Sequence, residues 1–70
     1  MLEKLQISLA AARVNAKMTQ YDVAKALSVS KQTINNWENG KTEPKMQQSR
    51  QLSELYKIPL DNIFLPRKSN

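Results

Sequence analysis

The chain has 70 residues, enough for one domain, and carries 11 Lys and Arg against 6 Asp and Glu for a formal charge of +5. It contains no Cys and no His, which excludes disulfides, thiolate chemistry, zinc fingers and the commonest general base and metal ligand. No apolar run approaches the roughly 20 residues of a membrane span, and the N-terminus lacks the apolar segment of a signal peptide, so a cytoplasmic protein without metal or cofactor is expected. Positive charge of this size keeps a small domain soluble and is equally the footprint of a nucleic-acid binder.

A single Gly, three Pro and the absence of alternating β-branched runs predict an all-α fold, a compact bundle of about five short helices. Leu2, Leu5, Leu9 and Ala12 recur at helical spacing, which predicts a first helix from Leu2 to Ala16 with Arg13 at the edge of its apolar stripe. Thr19, followed three residues later by Asp22, reads as a capping box opening a second helix from Gln20 to Leu27, with Val23, Ala24 and Leu27 inward. After a tight turn at Ser28 and Val29, Ser30 caps a third helix that runs to Asn39 and stops at Asn39-Gly40. Pro44 suits the first turn of a fourth helix reaching Tyr56, with Leu52, Leu55 and Tyr56 inward and Met46 filling a gap. Pro59 opens a last short helix to Leu65, and Pro66 ends it. Residues 1–66 thus form the domain and 67–70 a polar tail.

The third helix has two unlike faces. Ile34 and Trp37 share one side, while Gln32, Asn35, Asn36 and Asn39 follow the i, i+3, i+4, i+7 pattern on the other. Glu and Lys are better helix formers than Asn, so a solvent face built from carboxamides calls for another reason. A carboxamide carries one acceptor and two donors, which suits the reading of a base edge.

Two short helices joined by a tight turn form a helix-turn-helix. From Gln20 as first position, apolar residues fall at the fourth (Val23), eighth (Leu27), tenth (Val29), fifteenth (Ile34) and eighteenth (Trp37), with the small Ala24 at the fifth, where the helices cross closely. This pattern resembles the Cro/phage-repressor, or Xre-like, family of helix-turn-helix DNA-binding domains. The resemblance extends to Leu9 and Arg13, to the run Trp37–Lys41, and to the closing segment from Leu55 to Phe64. Ser28 and Lys57 depart from it, standing where the family commonly has Gly; a left-handed backbone there costs roughly 1–2 kcal/mol per residue.

The resemblance implies a sequence-specific double-stranded DNA-binding transcriptional regulator, of prokaryotic or phage repressor type, with the third helix in the major groove. Lys31, Gln32 and Asn36 are the leading base contacts, with Thr33 and Asn35 behind them: Gln and Asn pair bidentately with adenine, and Lys donates to guanine O6 and N7. Gln20, at the start of the second helix, and Asn39, Gly40 and Lys41, where backbone amides could meet phosphate, are the expected phosphate contacts; Lys25 and Lys45 read as surface charges. In the resembled family a Gln at the matching position also braces the residue that begins the third helix, and an Arg and Glu matching Arg13 and Glu38 form a partly buried ion pair between the first and third helices. The competing role for Arg13 is a phosphate ligand. Trp37, which could stack on an unpaired base, has the phase of a core residue.

Members of the resembled family commonly bind as two-fold dimers. The expected surface for a weak homodimer is the apolar segment Leu60, Ile63, Phe64 and Leu65, residues that would equally serve to close the core. A second reading is an antitoxin or other protein-interaction module on the same fold; the amide-rich face favours DNA. An enzyme has little support, since without His, Cys or paired carboxylates nothing stands out for acid–base or nucleophilic work.

Overall fold

A computed structural model describes residues 6–64. In chain order these form β1 (Ile7–Ser8), α1 (Leu9–Asn15), α2 (Gln20–Leu27), α3 (Lys31–Glu38), α4 (Met46–Tyr56), a single 3-10 turn (Leu60–Asn62) and β2 (Ile63–Phe64). α2 and α3 pack most extensively on each other, and α1 and α4 close the other side of the core.

Four helix starts follow from local chemistry. Thr19 Oγ1 accepts the Asp22 amide at 3.0 Å while Asp22 Oδ2 accepts the Thr19 amide at 2.9 Å, the reciprocal pair expected at α2. These bonds from Thr19, with Lys25 adding a smaller attraction, hold the Asp22 carboxyl below its usual range. Ser30 Oγ accepts the Thr33 amide at 3.0 Å and opens α3. At α4 the Lys45 amide donates to Gln48 Oε1 at 2.8 Å.

The first helix differs from expectation. Ser8 Oγ accepts the Ala11 amide at 3.0 Å, so the helix begins at Leu9 rather than Leu2. The helical spacing of Leu2 and Leu5 invited the longer assignment, and both residues lie outside the described set. Ile7 is instead extended and pairs in parallel with Ile63, as Ser8 does with Phe64. β-branched Ile suits that conformation at both positions. The predicted fifth helix is therefore replaced by the 3-10 turn and β2, and among the described residues there are four α-helices, not five. Ile63, 3% exposed, is a core residue rather than part of an open dimer surface; Leu60 is half-buried. Leu65, Pro66 and the tail lie outside the described residues, as does the Phe64 side chain. Pro44 also stands outside its helix: Lys45 is extended and α4 starts at Met46. Met46 fills no gap, being 63% exposed.

All four helices end alike. The left-handed residues are Lys17, Ser28, Gly40 and Lys57, with φ of 61, 59, 76 and 58°. In each case the amide after that residue bonds back five positions: Met18 to Arg13, Val29 to Ala24, Lys41 to Asn36 and Ile58 to Ser53, at 2.9–3.2 Å. This is the Schellman arrangement. Met18, Val29 and Ile58 then pack on the core, which joins each cap to the interior. That core comprises Leu9, Ala12, Val23, Ala24, Ile34, Trp37, Leu52, Tyr56 and Ile63. Ala24 is 3% exposed, in keeping with a helix crossing too close for a larger side chain.

Three of the four caps thus hold a Cβ in a region that disfavours it. Part of that cost is offset in the unfolded chain, where Gly has more freedom to lose. Ser28→Gly and Lys57→Gly are each expected to raise unfolding stability by about 0.5–1 kcal/mol, additively since the caps are separate, as measured by urea denaturation. Ala at either position should give no gain.

Candidate nucleic-acid interface

The amide-rich face of α3 is open. Lys31, Gln32 and Asn39 are exposed, and Asn35 and Asn36 are half-buried. Ile34 and Trp37, at 1% and 4% exposure, anchor the opposite face in the core. Beside Gln32 and Asn35, the N-terminus of α2 delivers Gln20, and these three with Lys31 line a shallow polar cleft of about 240 Å³.

Behind this face lies a connected polar network. Arg13 Nε donates to Glu38 Oε2 at 2.7 Å and its Nη2 to Oε1 at 3.4 Å. Arg13 Nη1 donates to the Met18 carbonyl at 3.0 Å, tying the network to the cap of α1. Gln20 Nε2 donates to Glu38 Oε1 at 2.9 Å and to Asn35 Oδ1 at 3.3 Å. The Arg13 and Glu38 side chains are only 16% and 7% exposed, so each charge depends on the other in a region poorly solvated by water. The hydrogen bond to Glu38 raises the Arg13 pKa, against the opposing effect of burial.

Each sequence-predicted residue has a definite place. Gln20 braces α3, but at Asn35 and Glu38 rather than at the helix's first residue. Gln32 Nε2 donates to Asn36 Oδ1 at 3.0 Å, one turn along, so two of the three leading base-contact candidates are already paired. The Thr33 hydroxyl bonds Ser30 Oγ at 2.9 Å and belongs to the cap of α3. Lys31 projects from the first turn of α3 and is exposed.

At the far end of α3, the amides of Asn39, Gly40 and Lys41 donate to the carbonyls of Asn35, Trp37 and Asn36. The cap therefore occupies the backbone donors that the sequence suggested for phosphate. The exposed side chains of Asn39 and Lys41 are what remain at that end, and Gly40 serves the turn through its positive φ. Sequence reasoning missed the bonds from Gln20 to Glu38 and from Arg13 to the Met18 carbonyl. The signal available for the former was that Asn35 and Glu38 lie three residues apart on one helix, facing the start of α2.

Tyr56, at 4% exposure, lies close enough to this network to feel its charges. Burial first, and Glu38 second, push its pKa up to about 12, with Arg13 opposing.

The model of the "Helix-turn-helix" family matches residues 9–63. An uncharacterized HTH-type transcriptional regulator of Methanocaldococcus jannaschii is 35% identical over 48 residues, covering 69% of this chain and 73% of that protein. No solved structure gives a significant match. No helix among the described residues is long and apolar enough to cross a membrane.

Two outcomes follow from the network. Removing one partner leaves the other charge uncompensated, so Arg13→Met or Glu38→Leu alone should cost near the lower end of the roughly 3–5 kcal/mol seen for buried pairs. The double variant should cost less than either single one, by urea denaturation. For Tyr56, the folded pKa of about 12 lies above the ordinary 10.0. Its contribution is therefore full below pH 10 and lost as pH rises through 12, on the order of 2 kcal/mol. Tyr56→Phe should flatten the stability profile between pH 10 and 12.

The family match spans the helix-turn-helix and the elements that frame it, and the geometry supplies the capped, closely crossed α2–α3 pair on which that motif depends; the chain belongs to the Cro/phage-repressor, or Xre-like, helix-turn-helix family.

Proposed function

We propose that the protein is a sequence-specific DNA-binding transcriptional regulator of the repressor type that lays α3 in the major groove. The observation that carries this reading is the exposed amide face of α3, backed by a buried Ile34–Trp37 face. The family match and the relative described as an HTH-type transcriptional regulator support DNA binding and transcription regulation. The formal charge of +5 favours a polyanion and fast electrostatic encounter.

In this reading Lys31, Gln32 and Asn36 touch base edges first, with Asn35 beside them and Thr33 as a secondary contact. The Gln32–Asn36 hydrogen bond aligns two carboxamides for neighbouring bases. Gln20 meets phosphate from the start of α2, where the helix dipole favours an anion. Asn39 and Lys41 meet it from the other end of α3 through their side chains, with Gly40 shaping the turn. Two copies on adjacent half-sites would place two such helices about one duplex turn apart; Leu60 and the end of β2 are the places for a weak contact between them.

Selection of bound duplexes from a random pool tests this directly. One enriched motif is expected. Gln32→Ala and Asn36→Ala should each lose about 1–3 kcal/mol of discrimination at one or two base pairs. Lys41→Ala should weaken all duplexes alike and reduce the salt slope by about one. Binding that is uniform in sequence would overturn the proposal.

A further inference from the structure

We infer that the Glu38 carboxylate, acting through Gln20, fixes which way the Asn35 carboxamide faces, and so makes Asn35 a hydrogen-bond donor to bases rather than a reader of adenine. The inference rests on the DNA-binding reading and adds to it a rule for one residue's specificity.

An isolated carboxamide can rotate half a turn and exchange its donor and acceptor ends. Here each end is determined in sequence. The Glu38 carboxylate is acceptor-only, and Arg13, donor-only, is bound to both of its oxygens. The Gln20 atom at 2.9 Å from Glu38 Oε1 must therefore be the nitrogen. That same nitrogen lies 3.3 Å from an Asn35 side-chain atom, and it carries only hydrogens to offer, so the Asn35 atom must be the oxygen. The Asn35 amide nitrogen then occupies the other branch of the planar group, with no bond of its own among the described residues, on a side chain that lines the cleft with Gln20, Lys31 and Gln32. A flipped Asn35 would set nitrogen against nitrogen, and a flipped Gln20 would set oxygen against carboxylate.

The neighbouring pair lacks this constraint. Gln32 and Asn36 bond each other one turn apart, and among the described residues neither side chain bonds a charged group. Both can flip together at no loss of hydrogen bonding, so this pair suits either pattern of base edge.

Bidentate recognition of adenine needs an acceptor for N6 and a donor for N7. Asn35 has turned its acceptor to Gln20 and offers donors, which suit guanine O6 and N7 or thymine O4. Gln20 is thus a positioning residue for specificity, separate from its proposed phosphate contact. Loss of a phosphate contact lowers affinity for all sequences equally; loss of the orienting bond changes base preference at one pair.

The test is site selection from a random duplex pool by the wild type, Gln20→Ala, Asn35→Ala and Asn35→Asp, with folding of each checked by circular dichroism. The base pair read by Asn35 is located as the one whose preference Asn35→Ala erases. The wild type should enrich guanine or thymine there. Gln20→Ala should admit adenine at that pair, with discrimination falling about tenfold, while preferences elsewhere persist. Asn35→Asp keeps an acceptor for Gln20 but turns an acceptor outward, and should shift the preference to cytosine or adenine, whose exocyclic amines donate. Adenine enriched by the wild type at that pair, or base preferences unchanged in Gln20→Ala, would overturn the inference alone. A wild type that enriches no motif would overturn the regulator reading and this inference with it.

Discussion

The Glu38 carboxylate is the point through which the surface of α3 is joined to the rest of the molecule. It sits at the last residue of the helix, 7% exposed, and receives Arg13 from α1 and Gln20 from α2. An acid at this place on a proposed DNA-facing helix would repel phosphate if it pointed outward. Turned inward against Arg13, it links three helices, and the guanidinium continues the link to the Met18 carbonyl where α1 ends. Partly buried charges of this kind contribute modestly to net stability, because desolvation offsets attraction. Their larger effect here is geometric: the network gives α3 fixed partners on α1 and α2.

The apolar side of α3 sets its depth and the polar side sets its rotation. Ile34 and Trp37 pack with Val23, Ala24, Leu52 and Tyr56 in one core, and Gln20 reaches across the turn to hold Asn35. The helix ends complete the arrangement, since each of the four described helices closes with an amide bonded back five positions and three of the four caps continue into an apolar core contact. A 70-residue chain has little core with which to hold a helix in place, and here caps and a polar network supplement it.

Much of this was legible in the sequence because it is local. The Thr19–Asp22 box, the Ser30 cap and the Gly40 stop are encoded within four residues of where they act, and α2 has the predicted bounds. Trp37 and Tyr56 were placed in the core by phase. The positive φ of Ser28 and Lys57 appeared as departures from a family pattern, whereas that of Lys17 had no such marker. What failed was non-local. The pairing of Ile7 with Ile63 joins residues 56 positions apart, and nothing in either short segment announces the other; helical spacing around Leu9 and the Pro59 start signal therefore won by default. Within the site, residue types were readable but partners were not. Gln20 looked like a phosphate ligand that braces the start of α3, and its bonds to Asn35 and Glu38 depend on the crossing of two helices. The amides of Asn39, Gly40 and Lys41 looked available until the cap geometry occupied them.

The central claim is that the α3 face and the start of α2 form one DNA-reading surface held from behind by Glu38. The most direct measurement is a titration of the ¹⁵N-labelled protein with its selected duplex, followed by two-dimensional NMR. The account predicts that the largest shifts fall on Gln20, Lys31, Gln32, Asn35, Asn36, Asn39 and Lys41, side-chain amides included, while Val14 on the exposed side of α1 stays still. Shifts centred on α1 or α4, with the α3 amides unmoved at saturation, would contradict it.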